Sequence, residues 1–363
     1  MTILFNPTTK LEQVIECIKN NDATGVVNKL HENGKISFDE EKLVIAMVLP
    51  FYAPYWLAEL QEFCGVQLKA TLGAQVQWDI TYNVDSMSSD PTKTALANIK
   101  NIIVVASGKG GVGKSTVSVN LALALSENGA KVGMLDADIY GPSVPTMLGA
   151  KGATPSSKDG KLMSPIDACG IVCNSIGFLV KDEEAMVWRG PMASKALGQV
   201  LNETDWPELD YLVVDMPPGT GDIQLTMSQS VPVTTAVIVT TPQDIALIDA
   251  QKGVTMFNKV GVNVSGVIEN MSFYSCSQCG HQEAIFGTGG GKKLAAQFGL
   301  PFLGALPLHI AYREDTDSGE PTVFKSESSA LTEPYYKLAE TLAINIYRDL
   351  NKAIEPISFT EVK

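Results

Sequence analysis

The chain has 363 residues, of which 45% are hydrophobic, and a formal net charge of −13 at pH 7. The length exceeds one ordinary compact domain and suits two, while the acidic balance argues against a polyanion such as DNA or an anionic membrane as main partner. With 31 glycines and 18% charged residues, the composition is that of an ordinary α/β protein.

The first thirteen residues, MTILFNPTTKLEQ, lack a charged segment followed by an apolar core, so no secretory signal is read there. The uncharged run from Leu43 to Ala58 falls short of the roughly 20 residues of a membrane span. It also contains Pro50 and Pro54, and it reads as a buried strand followed by the first turn of a helix. Six cysteines in a long chain without an export signal imply thiols that are reduced or metal-bound, and hence a cytoplasmic location.

Residues 1–86 read as a small α/β unit. Leu11 to Asn20 and Val26 to Leu30 suit helices, and Lys42 to Leu49 suits a strand. Pro54 fits the first position of a helix carrying Leu57, Leu60, Cys64 and Leu68. Val76, Trp78, Ile80 and Tyr82 alternate in a second strand spanning Gln75 to Val84, and Trp78 and Cys64 read as core residues. Residues 87–98 are polar and breaker-rich, a linker, and residues 351–363 form a polar tail.

Residues 99–350 form the second domain. Apolar runs at 102–106, 132–135, 171–176, 211–214, 235–240, 264–268 and 302–306, separated by helical stretches, predict a doubly wound, mostly parallel sheet. Between the first run and a helical pattern from Val117 lies Gly108-Lys109-Gly110-Gly111-Val112-Gly113-Lys114-Ser115, followed by Thr116. Strand, glycine loop and helix are the context that makes G-x-x-x-x-G-K-S a phosphate-binding loop. Its backbone N–H groups and the helix N-terminus face phosphate oxygens. Lys114 suits the β and γ phosphates of ATP, and the Ser115 hydroxyl suits Mg²⁺.

Asp136 and Asp138 follow the second strand, at the sheet end that faces the ligand crevice. Leu212-Val213-Val214-Asp215 has the form of a strand ending in a Mg²⁺-binding carboxylate. The stiff Pro217-Pro218-Gly219-Thr220-Gly221-Asp222 turn after it suits a γ-phosphate sensor. Asn270, at a later strand end, has both a donor and an acceptor for adenine. Cys276 and Cys279 are spaced to chelate one metal or one face of a cluster. No second C-x-x-C completes four ligands, and a symmetric dimer would supply the missing pair. Taken alone the motif is also compatible with a redox pair, a zinc half-site or chance. Cys169 and Cys173 read as core, and His281 as a surface histidine.

The G-K-G-G-x-G-K-S loop resembles that of the deviant P-loop ATPases, the class of the MinD/ParA ATPases and the nitrogenase iron protein. That resemblance implies that Lys109 reaches across a dimer interface to the partner's nucleotide, that Asp138 orients the attacking water and that Asp136 sits on the Mg²⁺ side. Arg189, Arg313 and Arg348 are the only arginines that could compete for the Lys109 role. D-A-D-I-Y-G-P-S, Trp188-Arg189-Gly190-Pro191-Met192, V-V-D-M-P-P-G-T-G-D, the C-x-x-C with I-F-G-T-G-G after it, and Asp317-Ser318-Gly319-Glu320-Pro321 occur in order. Together they resemble the Mrp/ApbC family of ATP-dependent iron–sulfur cluster carriers. That family commonly has Pro after the first cysteine, where this chain has Ser277.

The resemblance implies slow ATP hydrolysis and a homodimer that binds a [4Fe–4S] cluster between paired C-x-x-C motifs. The cluster would come from scaffold or donor proteins and pass to apo iron–sulfur proteins. The layout of residues 1–86 resembles the MIP18-like domain that often precedes such ATPases. A MinD/ParA-type positioning or partition ATPase is the alternative, but the tail contains Pro356 and is too short and mixed for a membrane-targeting helix. A nitrogenase-like reductase is a further one.

Overall fold

The apolar runs assemble into a central sheet in a computed structural model of the chain, which describes residues 10–88, 96–157, 160–179, 190–221, 224–226, 228, 231–276, 278–325 and 329–352. The amino-terminal unit comprises α1 (Lys10–Asn21), α2 (Val26–Glu32), β1 (Ile36–Asp39), β2 (Val44–Leu49), α3 (Pro54–Leu72) and β3 (Gln77–Tyr82). Its sheet has the order β1-β2-β3, antiparallel then parallel. Strand β2 starts at Val44 because Leu43 adopts a left-handed φ of 53° that ends any extended run before it.

The expected linker and tail meet. β4 (Met87–Ser88) pairs antiparallel with β15 (Asn351–Lys352), and Met87 is buried. The remainder of the linker to residue 95, the tail from residue 353 and the amino terminus to residue 9 lie outside the described residues.

The large sheet is built from β5 (Ile99–Ala106), β6 (Val132–Asp136), β7 (Ile166–Ala168), β8 (Ile171–Ser175), β9 (Leu209–Asp215), β10 (Thr235–Thr240), β11 (Val264–Glu269) and β14 (Phe302–Ala305). Its order is β14-β11-β10-β5-β9-β6-β8-β7, parallel throughout except for β7 against β8. Helices α4 (Lys114–Glu127), α5 (Val144–Met147), α6 (Gly190–Asn202), α7 (Asp244–Lys259), α8 (Gly290–Phe298), α9 (Ile310–Asp317), α10 (Thr322–Lys325) and α11 (Glu333–Asp349) accompany it. Alternate residues of β5 feed different cores: Ile103 and Val105 face one layer, Ile102 and Val104 the other. Among the described residues no helix is long and apolar enough to cross a membrane.

The two units share a buried cluster. Val14, Ile18, Leu30, Met47 and Leu60 of the first unit belong to the same buried cluster as Val117 and Leu121 of α4 and Leu342 and Ile346 of α11. Helix α11 lies between the units, packing on α4 and also on α2 and α3. Two ionisable side chains clasp this junction. Lys29 donates to the carbonyls of Tyr347 (2.6 Å), Arg348 (3.3 Å) and Leu350 (2.5 Å), a cation on the negative end of α11. Glu340 of α11 accepts the backbone N–H groups of Tyr55 (2.7 Å) and Trp56 (2.9 Å) at the start of α3, whose own N-cap, Ala53, has no side-chain acceptor.

Burial pushes the Glu340 carboxyl up to about 7 from an ordinary 4.5, against the lowering effect of its two N–H donors. Between those values the folded chain holds a proton that the unfolded chain releases, so this residue's contribution is full below about pH 4.5 and is lost as pH rises through 7. Glu340→Gln should therefore flatten the fall in denaturant midpoint between pH 5 and pH 8. Glu340→Ala should cost about 1–3 kcal/mol and speed amide exchange at the start of α3. Identical pH profiles for the parent and Glu340→Gln would show that the clasp does not titrate.

Candidate functional site

Strand β5 runs into the loop from Ser107 to Gly113, and α4 starts at Lys114. A side chain at Gly108 would collide with the backbone of Asp249 in α7, so only glycine lets the loop pass beneath that helix. Gly113, the N-cap of α4, has a φ of 78°, which a residue with a Cβ would resist. The turn after β9 lies alongside. Met216 N donates to Val105 O (3.1 Å) and Gly219 N to Ser107 O (2.9 Å), so the expected γ-phosphate sensor is tied to the root of the phosphate loop.

The carboxylates converge as the strand order requires. Asp136 and Asp215 are register partners at the ends of adjacent β6 and β9, and Ala137 N donates to Asp215 O (2.9 Å). Asp215 is fully buried and is saturated by α4: Lys114 Nζ stands 2.7 Å from Oδ1, Ser118 Oγ donates to Oδ1 at 2.6 Å, and Ser115 Oγ donates to Oδ2 at 2.5 Å. Lys114 Nζ is also 3.3 Å from Ser115 Oγ. The residues expected to hold phosphate and Mg²⁺ are thus in mutual contact.

Asp136 and Asp138 differ sharply. Asp136 is wholly buried, and burial, with the Asp215 charge adding to it, pushes its carboxyl up to about 8. Its Oδ1 accepts Asp138 N (3.1 Å), while Oδ2 accepts Val144 N (3.3 Å) and Ser175 Oγ (3.0 Å), so both oxygens hold the chain together. Asp138 is half-buried and its Oδ1 has no hydrogen-bond partner. Burial raises its carboxyl, the nearby Lys114 charge opposes that, and Asp215 adds to it. An unpartnered carboxylate oxygen beside Lys114 and Asp215 fits a water or hydrated cation at this point.

Asn270 follows β11 and donates Nδ2–H to Val112 O (2.9 Å), so part of its amide braces the phosphate loop. Val112 is buried, while Gly110 and Gly111 are exposed. The Thr116 carbonyl accepts Asn120 Nδ2 (2.9 Å) within α4. Lys109 is half-exposed, its carbonyl accepts Ser107 Oγ (3.0 Å), and no ion pair among the described residues engages its ammonium. Ser118 was not anticipated. Its signal is the spacing of four from Lys114, which sets both on one face of α4. Trp188, Arg189, Asp222 and Ser277 lie outside the described residues.

Cys276 and Cys279 sit in the connection of a short hairpin, β12 (Tyr274–Ser275) with β13 (Gln282–Glu283). Cys276 N donates to His281 O and Gly280 N to Cys276 O, both at 2.9 Å. The Cys276 thiol is held below its ordinary value, first by the backbone N–H of Cys279, then by that of Gln278 and by the Cys279 side chain. A turn that aims N–H groups at sulfur stabilises thiolate, the form that binds metal. Cys173 is the reverse case: it is fully buried in β8, and burial drives its thiol up to about 12. Burial also raises the half-buried Cys169 thiol. Among the described residues no group of three or more His, Cys, Asp or Glu could hold a metal. Cys276 and Cys279 thus stand as a pair, without a third such side chain grouped with them among the described residues.

Residues 98–343 match the family described as ParA, NUBPL iron-transfer P-loop NTPase. The chain is 55% identical over 313 residues to the "Iron-sulfur cluster carrier protein" of Escherichia coli (strain K12), covering 86% of this chain and 85% of that protein. It is 49% identical over 355 residues to the protein of the same name from Haemophilus influenzae, covering 98% of this chain and 96% of that one. Among solved structures it is similar to the nucleotide-binding protein of Archaeoglobus fulgidus in complex with ADP. There the TM-score is 0.56 at 34% identity, over 68% of this chain and 99% of that one. A phosphate loop, a buried carboxylate network and a two-thiol turn on one sheet end, with these likenesses beside them, make the chain a member of the ParA/NUBPL family of iron-transfer P-loop NTPases.

Proposed function

We propose that this chain is an ATP-dependent iron–sulfur cluster carrier that holds a [4Fe–4S] cluster as cargo on Cys276 and Cys279 and delivers it to apo iron–sulfur proteins. The observation that carries the reading is the two-thiol turn with its lowered Cys276, six residues beyond a side chain that braces the phosphate loop. The names of the relatives support the same chemistry. Since each copy offers two thiols, a cluster with four cysteine ligands needs a second copy, and the functional unit is a homodimer. In it Lys109, free of intramolecular ion pairs among the described residues, reaches the partner's nucleotide.

ATP binds over residues 108–116, where Lys114 exchanges Asp215 for phosphate oxygens. Ser115 and Asp215 are the residues that would hold Mg²⁺, which neutralises charge on the β and γ phosphates when bound. Asp138 then orients the attacking water through its unpartnered oxygen. Asp136, engaged by three donors, supports this arrangement from behind rather than as a ligand. Asn270 keeps its acceptor for adenine while its donor braces Val112. The match to an iron-transfer family favours the carrier over a positioning or partition ATPase.

Lys114→Ala should abolish nucleotide binding and also lower unfolding free energy by about 3–5 kcal/mol, because Asp215 keeps only hydroxyl donors in a buried site. A denaturant titration indistinguishable from the parent would refute the ion pair's structural weight. Asp138→Asn should bind ATP normally yet hydrolyse it about 100-fold or more slowly, and equal turnover would reassign the water to another residue. After anaerobic reconstitution the parent should hold about four iron and four sulfide per dimer. Either Cys276→Ala or Cys279→Ala should lose both while retaining ATP binding. Wild-type iron and sulfide in either variant would rule out the bridged cluster.

A further inference from the structure

The nucleotide pocket and the cysteine turn are joined through the end of β11. Five residues separate Asn270 from Cys276, and this stretch is bonded to its surroundings at Asn270, Ser272, Phe273 and Ser275. Asn270 N donates to Thr240 O (2.8 Å) and its side chain to Val112 O (2.9 Å). Ser272 N donates to Leu306 O (2.9 Å), Leu308 N to Phe273 O (2.7 Å) and Ser275 N to Leu308 O (3.3 Å). Met271, pinned between the first two anchors, has a φ of 54°, a left-handed backbone that a residue with a side chain adopts only under constraint.

Glu269, the last residue of β11, locks this stretch and has no part in either chemistry. It is 1% exposed. Its Oε1 accepts Ser272 Oγ (2.5 Å), its Oε2 accepts Gly291 N (2.6 Å) at the start of α8, and its carbonyl accepts Leu306 N (2.9 Å). One carboxylate therefore fixes the root of the cysteine hairpin to the helix that follows the hairpin. A displacement of the phosphate loop reaches Asn270 through Val112, and Glu269 denies the stretch beyond it any slack.

We propose that Glu269 is a positioning residue that couples the phosphate loop to the Cys276/Cys279 turn, so that nucleotide binding reorients the two thiols. The inference rests on the reading of those thiols as cargo ligands. By linkage, what nucleotide does to the thiols, the cargo does in equal measure to nucleotide affinity.

The test uses the full chain without cluster. Iodoacetamide labelling of Cys276 and Cys279 is followed by peptide mass spectrometry, with and without Mg-ADP or a non-hydrolysable ATP analogue. In the parent, nucleotide should change the labelling rate about fivefold or more. In Glu269→Ala and in Ser272→Ala the response should shrink to less than about twofold while nucleotide affinity, read by fluorescence titration, stays within about twofold of the parent. Glu269→Gln, which still accepts from Gly291 N and can bond Ser272, should restore the response. A parent whose labelling ignores nucleotide, or an undiminished response in both alanine variants, would overturn the coupling. Loss of nucleotide affinity in both would reduce Glu269 to a structural residue and also overturn it. Labelling needs no iron, so a failed relay is distinguishable from a failure to carry clusters, which iron and sulfide content reads separately.

Discussion

A carboxylate with no access to water must be matched by donors, and Asp215 is matched by three from a single helix. Lys114 and Ser118 are four apart and share a face of α4, with Ser115 beside them. Satisfying Asp215 therefore fixes both the roll and the height of α4 against β9. The phosphate loop hangs between that helix and β5, and so inherits its position from the same network. Replacing such a pair by apolar groups is often neutral or stabilising in proteins, so the arrangement is better understood as a poised exchange than as reinforcement. Phosphate oxygens compete for Lys114, and an incoming cation competes for the hydroxyl of Ser115.

The contrast between like residues shows how environment assigns roles here. Asp136 and Asp138 are two residues apart, yet one has its oxygens taken up by Val144, Ser175 and the Asp138 backbone, and the other keeps a buried oxygen without a partner. Cys173 and Cys276 diverge in the same way, one driven up by burial within a strand, the other drawn down by N–H groups in a surface turn. Residue type alone would rank the members of each pair equally.

The strands of the large sheet were legible because a parallel strand covered on both faces is a continuous apolar run. Their edges were less so. β5 begins at Ile99 rather than Ile102 because half-exposed Lys100 is paired with Asp210 at 2.8 Å and buried Asn101 spends its amide on Asp85 O and Asp210 O. Strand β1, at four residues, is too short for alternation to register. Glycine spacing exposed the phosphate loop and cysteine spacing the thiol turn, since both motifs are local. Ser118 and Ser175 escaped notice because a serine inside an apolar element carries no local mark of its partner. The shared core escaped for the same reason on a larger scale: nothing near Leu30 signals Tyr347.

That last separation has a consequence for how the chain is made. Lys29 and Tyr347 are 318 positions apart, and Tyr55 and Glu340 are 285 apart. The first unit leaves the ribosome well before the helix that packs on its α2 and α3 is synthesised. At ordinary elongation rates of about 5–20 residues per second, the interval is on the order of tens of seconds. During it the faces of α2 and α3 that pack on α11 lack that partner. Closure of the amino-terminal unit therefore waits on α11, and a nascent chain arrested before α11 leaves that surface uncovered for as long as the arrest lasts.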